Sequence, residues 1–443
     1  MSIVLAGARV VTSLDPVAVE DADVLIRHGR VAAVGSSLAG PERSIDCSGC
    51  VVIPGNVCAH THVYSALARG MPFELEPPAN FLEILQRVWW RLDRALDEDT
   101  VRAAALVGGM EALLVGTTTL VDHHASPNAI DGSLDVIADA FGSLGLRSVL
   151  SYEVTDRDGP ERATAGVQEN RRFLAANHRS LARGMVGGHA SFTLEPETLA
   201  ACVEVARGAE VGIHIHVAED AVDERDCEAR FGVRVAERLL LEGALDRRSL
   251  LAHGVHLDER EAGVVREAGA TVAHNARSNM HNAVGRPQLA ELDRVALGTD
   301  GIGADLFEES RTAFLRLREE GLDATPGWPL ARLAEGARLA GGIFGEPALG
   351  SIVPGAPADL VVLEYEPPAP LDAVSFPGHW VFGLSSRNVR DVLVGGDVVV
   401  RDRRLMNVDQ EELAAKAAVE SRRLWDQLQR IGPHPFEPRT GSR

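Results

Sequence analysis

The chain has 443 residues, 45% of them hydrophobic and 24% charged, which suits one closed α/β barrel of roughly 250 residues plus a smaller unit. A formal charge of −20, from 44 basic and 64 acidic residues, argues against nucleic acid or an anionic membrane surface as partner. No stretch reaches the ~18 consecutive apolar residues of a membrane span, and five scattered cysteines fit a reducing cytoplasm better than a disulfide framework.

In chain order, the apolar start from Met1 to Pro16 is broken by Arg9 and lacks a basic lead, so it reads as a strand and not a secretion signal. Ile3–Val11, Asp23–Arg27 and Arg30–Val34 are strand-like, with a turn at His28-Gly29. Cys47 and Cys50 form a lone C-x-x-C, expected to be small residues in a turn and not a zinc or redox site. From about residue 50 to 345, strand signals alternate with amphipathic helices such as Asp99–Val115, Glu195–Gly208 and Asp258–Ala268. The strands end at His62, Asp122–His124, Glu153, His189, Glu219, His253–His256, His274–Arg277 and Asp300.

Eight βα units predict a (β/α)₈ TIM barrel over 56–349. Asp359–Leu363, Asp391–Val394 and Asp397–Arg401 read as strands again, with a hairpin at Gly395-Gly396. Neither end could bury a core alone, so residues 1–55 and 350–405 are expected to join as one small β-sandwich. Residues 406–443 follow as a C-terminal helix, Glu411–Arg430, and a tail.

Histidines and carboxylates gather at the C-terminal ends of the barrel strands, the rim where barrel enzymes place their chemistry. Alternation along a strand puts His60 and His62 on one face, able to share a metal. His214 and His216 repeat the pattern on the fifth strand, with Glu219 three residues on. Of these two histidines, His214 lies about 6.6 Å deeper along the strand, which favours His216 at the rim. His253 ends the sixth strand and Asp300 the eighth. His123, His124, His189 and His274 also end strands, as candidates to contact substrate or simply satisfied rim histidines. Arg277 could bind a substrate carbonyl or carboxylate, or form a structural ion pair. Trp89-Trp90 lie in Met71–Leu92, either a lid or helix core, and His28, His178, His379 and His434 read as surface or packing residues.

The strings P-G-N-V-C-A-H-T-H, H-I-H-V-A-E-D, L-A-H-G and L-G-T-D-G resemble the amidohydrolase superfamily, in its branch of mononuclear metal deaminases and chlorohydrolases. V-D-H-H-A-S-P, H-N-A-R-S-N-M and W-W-R-L-D-R-A-L-D-E look closer still to the SsnA-type aminohydrolases. The resemblance spans nearly the whole chain. It implies His60, His62, His216 and Asp300 as metal ligands, Glu219 as proton shuttle and His253 as the residue that polarises substrate or water. His274-Asn275-Ala276-Arg277 departs from the Cys-Pro that many members carry after this histidine, which would alter the pocket and not the metal.

Three neutral imidazoles and a carboxylate suit Zn²⁺ first, with Fe²⁺ as the alternative. Such an ion lowers the pKa of a bound water to about 7. Asp300 can then accept the water's proton, and Glu219 can protonate a ring nitrogen and the leaving amine. Binuclear relatives bridge two metals through a carboxylated lysine on strand four. Here that strand ends at Gly187-Gly188-His189 and the sole lysine is Lys416, so one divalent metal per chain is expected.

The expected function is hydrolytic deamination of an amino-substituted N-heterocycle (purine, pyrimidine or triazine-like) by a cytoplasmic, dimeric enzyme. The C-terminal helix is a candidate for the dimer interface. Ring opening of a cyclic amide and chlorohydrolysis need the same metal site. An inactive metal-binding paralogue would have no use for an unligated Glu219.

Overall fold

The computed structural model describes residues 2–38, 43–319, 321 and 324–439. Eight parallel strands form the central barrel: Asn56–Thr61, Thr117–His124, Arg147–Val154, Val186–Ala190, Ile213–Val217, Leu250–His253, Thr271–His274 and Val295–Leu297. They are buried along their whole length, as strands covered by helices on one face and packed in a barrel interior on the other must be. A short extra strand, Ala182–Gly184, pairs beside the third.

The ring closes between its last and first members. Thr61 bridges Asp300, and the Thr299 amide donates to the His60 carbonyl at 2.8 Å. This approach leaves no room at Gly298, where a Cβ would sit 2.3 Å from Asn275 Oδ1 and 2.9 Å from His60. Closure therefore draws the His60-containing strand and the Asp300 loop together, and that is what assembles the site.

Both chain ends contribute to the second sheet. Leu360–Glu364 pairs antiparallel with Cys50–Pro54, which lies parallel to Ser2–Leu14; Val17–Arg27 and Arg30–Gly35 extend one side, Val389–Val394 and Asp397–Arg401 the other. Its apolar core alternates along each strand, with Leu5, Val10, Val24, Val52, Leu360 and Val362 inside. Cys47 and Cys50 are free, buried thiols beneath Arg390, whose guanidinium reaches both. Burial pushes the Cys47 thiol up to about 12, which makes it inert.

The C-terminal helix, Gln410–Leu428, is occupied within its own chain. Leu413, Leu424 and Leu428 are buried, and Trp425 Nε1 donates to the Leu67 carbonyl at 2.9 Å. Arg423 and Gln427 hold Asp97, the N-cap of the barrel helix Glu98–Leu114. The expected dimer contact through this helix could use only its outer face. No helix among the described residues is long and apolar enough to cross a membrane.

Candidate active site

At the C-terminal rim, the imidazoles of His60, His62 and His216 and the Asp300 carboxylate converge. His62 Nδ1 donates to the His123 carbonyl at 2.6 Å, and His216 Nδ1 donates to the His189 carbonyl at 2.8 Å. Each ring is thereby oriented with its Nε2 aimed at a common point. Those two Nε2 atoms face one another across 3.1 Å. His60 is oriented in the same way by His214, Nδ1 to Nε2 at 2.8 Å, and its own Nε2 has no hydrogen-bond partner. Asp300 Oδ1 lies 3.1 Å from His62 Nε2 and 3.6 Å from His60 Nε2. Lone pairs converging on one point demand a cation there, so the donor set fits a divalent metal.

Electrostatics agree. Burial holds the His60 imidazole down to about 3, and His216 and His214 well below their usual range, so these rings are neutral and able to ligate. His62 goes the other way. Burial works against its charge, but the Asp300 carboxylate outweighs it and pushes the imidazole up to about 9. For Asp300, burial is likewise outweighed by His60 and His62, which hold its carboxyl well below the carboxylate range. The pair asks for one positive charge between them. Two sets of buried groups have donor atoms within 4.8 Å of one another: His60, His62, His123 and His216, and His60, His216, His253 and Asp300. His214 is in neither, because it stands behind His60 as its support.

Glu219 lies just past the fifth strand and belongs to neither set. It lines the cavity, accepts from Asn282 Nδ2 at 3.3 Å, and has its Oε2 3.5 Å from His253 Nε2. Burial, then the Asp300 charge, raises its pKa well above the usual value, which favours its protonated form. His253 Nδ1 is held by Asn279 Oδ1 at 2.8 Å, which turns its Nε2 toward Glu219. Asp300 accepts a short hydrogen bond from the Ser278 hydroxyl, and Asn282 links Ser278 to Glu219.

Ser278, Asn279 and Asn282 escaped the sequence reading. They come from the short helix Ala276–His281 and its C-cap, and Asn275, Ser278, Asn279 and Asn282 recur at helical spacing. That polar stripe directly after a strand-end histidine was the available signal.

The remaining candidates divide. His189 and Glu153 line the cavity, and His123 sits among the metal-facing rings with its Nδ1 3.4 Å from the Glu153 carboxylate. His124, His274 and Arg277 do not line it. Strand alternation turns His124 away from His123, toward Ser126 at 2.9 Å. His274 is buried, with no partner at Nδ1. Arg277 is drawn off by Glu309 at 2.6 Å, Glu308 at 2.8 Å and the carbonyls of Ile302 and Gly303. Its guanidinium is thus engaged by two carboxylates and two carbonyls.

Trp89 and Trp90 are both helical and cavity-lining: Trp89 ends a π-helical turn, Leu85–Trp89, and Trp90 opens the helix that follows, while Trp89 packs on Gly301. His434, expected at the surface or in packing, is buried and bonds Asp158 at 3.3 Å.

The family model described as "Amidohydrolase family" matches residues 51–399. The 5-methylthioadenosine/S-adenosylhomocysteine deaminase of Desulforudis audaxviator is 32% identical over 431 residues, covering 92% of this chain and 96% of its own. A 5'-deoxyadenosine deaminase of Methanosarcina mazei is 31% identical, covering 94% and 98%. Among solved structures, a zinc-bound adenosine deaminase of Xanthomonas campestris superposes with a TM-score of 0.83 at 24% identity, over 97% of this chain and 99% of its own. The zinc complex of atrazine chlorohydrolase from Arthrobacter aurescens gives 0.81 at 25%, over 95% and 100%. This chain belongs to the amidohydrolase family.

Proposed function

We propose that this chain is a metal-dependent aminohydrolase that deaminates an amino-substituted nitrogen heterocycle of purine, pyrimidine or triazine type and releases ammonia. One observation carries the reading: Glu219 stands at the cavity wall between His253 and Asn282, holds no place among the metal-facing groups, and has its carboxyl pushed well above the usual range by burial and the Asp300 charge. A purely structural metal site has no use for such an acid. The deaminase names of relatives at 31–32% identity point the same way.

His60, His62, His216 and Asp300 would hold the metal, zinc in preference to iron, at one ion per chain. When bound, the ion supplies Lewis acidity and lowers the pKa of a water to about 7. Asp300, held in place by Ser278, takes a proton from the attacking water. Glu219 delivers its proton to a ring nitrogen, then takes the proton of the added hydroxyl and passes it to the departing amine, and the proton held by Asp300 returns to Glu219 after release. Oxygen adds to the amino-bearing carbon, the C–N bond breaks, and ammonia leaves. His253 polarises the reacting oxygen, and Asn282 keeps Glu219 turned to the ring. Trp89, Trp90, Phe192 and Tyr64 supply flat apolar faces for a heterocycle. Assembly as a homodimer completes the proposal.

A second reading, hydrolytic removal of chloride from a triazine, is favoured by the likeness to atrazine chlorohydrolase. Purified protein is screened against aminated purines, pyrimidines and triazines for ammonia release, and against a chlorotriazine for chloride. Ammonia from at least one ring supports deamination. Chloride alone transfers the assignment to the second reading, and neither product overturns both.

A further inference from the structure

Beyond the end of the C-terminal helix, residues 431–439 run without regular secondary structure across the helical wall Phe81–Ala95, whose inner face lines the cavity. The contacts are too many and too well matched for a loose tail. The His434 amide donates to the Gln86 carbonyl at 2.9 Å, and Gln86 Nε2 returns a bond to the Phe436 carbonyl at 2.8 Å. Gln86 belongs to the π-helical turn, where backbone groups lose their usual helical partners. Arg91 and Arg94 donate to the carbonyls of Ile431 and Gly432 at 2.7 and 2.8 Å. At its far end the segment crosses to the opposite wall: the Arg439 amide donates to Asp226, fully buried in the helix Ala221–Phe231 that follows Glu219.

Two side chains of this segment reach inward to Trp90. The His434 ring stands edge-on at 5.3 Å and the Phe436 ring at 5.8 Å. His434 also bonds Asp158, which flanks Arg157, and Arg157 pairs with the cavity carboxylate Glu153 at 3.2 Å while stacking over Trp90. All of these charged groups are almost wholly buried, so each depends on its neighbour for its position.

We infer that residues 431–439 are a working part of the pocket, with His434 and Phe436 as positioning residues that hold Trp90 and the Arg157–Glu153 pair against the bound ring. The inference deepens the deaminase reading, on which its kinetic arm rests. Its structural arm does not.

The test uses full-length Phe436→Ala, His434→Ala and His434→Gln, the last able to keep a donor toward Asp158. Hydrogen exchange is followed by mass spectrometry, beside metal content and steady-state kinetics on whichever ring the wild type turns over. In the two alanine variants, exchange in 81–95 rises about tenfold or more while helices remote from this wall stay protected. KM rises about tenfold with kcat little changed, because Glu219 and the metal-facing groups are untouched. His434→Gln restores both readouts toward wild type. Unchanged exchange in 81–95 overturns the inference, as does a uniform loss of protection or a fall in kcat at constant KM. If the wild type turns over no ring, the deaminase reading fails and exchange alone decides the role of the segment.

Discussion

Asn282 Nδ2 stands 3.3 Å from Glu219 Oε1 and 3.3 Å from the Ser278 hydroxyl, so one amide joins the proposed proton carrier to the residue that holds Asp300. Glu219→Gln is expected to keep its metal and lose turnover by ~10²–10⁴-fold, the usual contribution of a general acid–base. Asn282→Ala keeps both metal and carboxyl but frees the carboxyl to rotate, at a cost of about 10–100-fold in turnover. Metal content and rate are measured on the same preparations. A metal-free Glu219→Gln protein, or a fully active one that retains its metal, removes Glu219 from the mechanism.

The two strand-five histidines should separate by metal content. His216→Ala and Asp300→Asn delete donors from the converging set and should lose the ion together with activity. His214→Ala removes only the partner that orients His60, so the ion should stay but bind about 10–100-fold more weakly. Competition with a graded chelator distinguishes the two. Equal loss from His214→Ala and His216→Ala would mean that His214 is itself a ligand.

Elemental analysis of desalted protein should find one tightly held metal per chain. No lysine stands near strand four, and the sole lysine, Lys416, pairs with Glu412 on the C-terminal helix. Chelation should abolish activity and one equivalent of zinc restore it. Two tightly held ions, both required for activity, would refute this.

Asp223 accepts the amides of Phe192 and Ala218, clasping the loops on either side of the pocket. Burial pushes its carboxyl up to about 7, only partly offset by those two bonds. An unfolded aspartate titrates near 3.9, so the folded state keeps this proton to higher pH. The associated stability is present in full below about pH 4 and declines as pH rises through about 7, by on the order of 4 kcal/mol. Denaturation at pH 5 and pH 8 should show a smaller difference for Asp223→Asn than for wild type. An unchanged difference would show that this carboxyl is already ionised at pH 5.

The barrel was legible because its signals are local: apolar runs of strand length, amphipathic helices between them, and polar residues at each strand's C-terminal end. His60, His62, His216, His253 and Asp300 meet because those ends meet. Arg277 was ambiguous for the opposite reason, since the carboxylates that claim it lie more than thirty residues away, at Glu308 and Glu309. Ser278 and Asn282 carry no chemical signature of their own, and their roles follow from a six-residue helix docking beside Asp300. Residues 431–439 have no periodicity to read, and what they touch was set by the path of the chain after its final helix.

His253, Asp300 and Ala218 all hold left-handed backbone, at φ of 76°, 53° and 48°, a region that costs a non-glycine residue about 1–2 kcal/mol. They end or follow the strands that deliver the reactive groups, so part of the chain's backbone strain lies where the chemistry is. Glycine would relieve that strain at all three, but at His253 and Asp300 it would also empty a buried side-chain site, at about 2–5 kcal/mol, more than the strain itself. At His253 and Asp300 that relief would come with an inert protein, whereas Ala218→Gly gives up no functional group. A screen that scores survival after heating and turnover separately should therefore enrich Ala218→Gly in both arms, and His253→Gly and Asp300→Gly in neither.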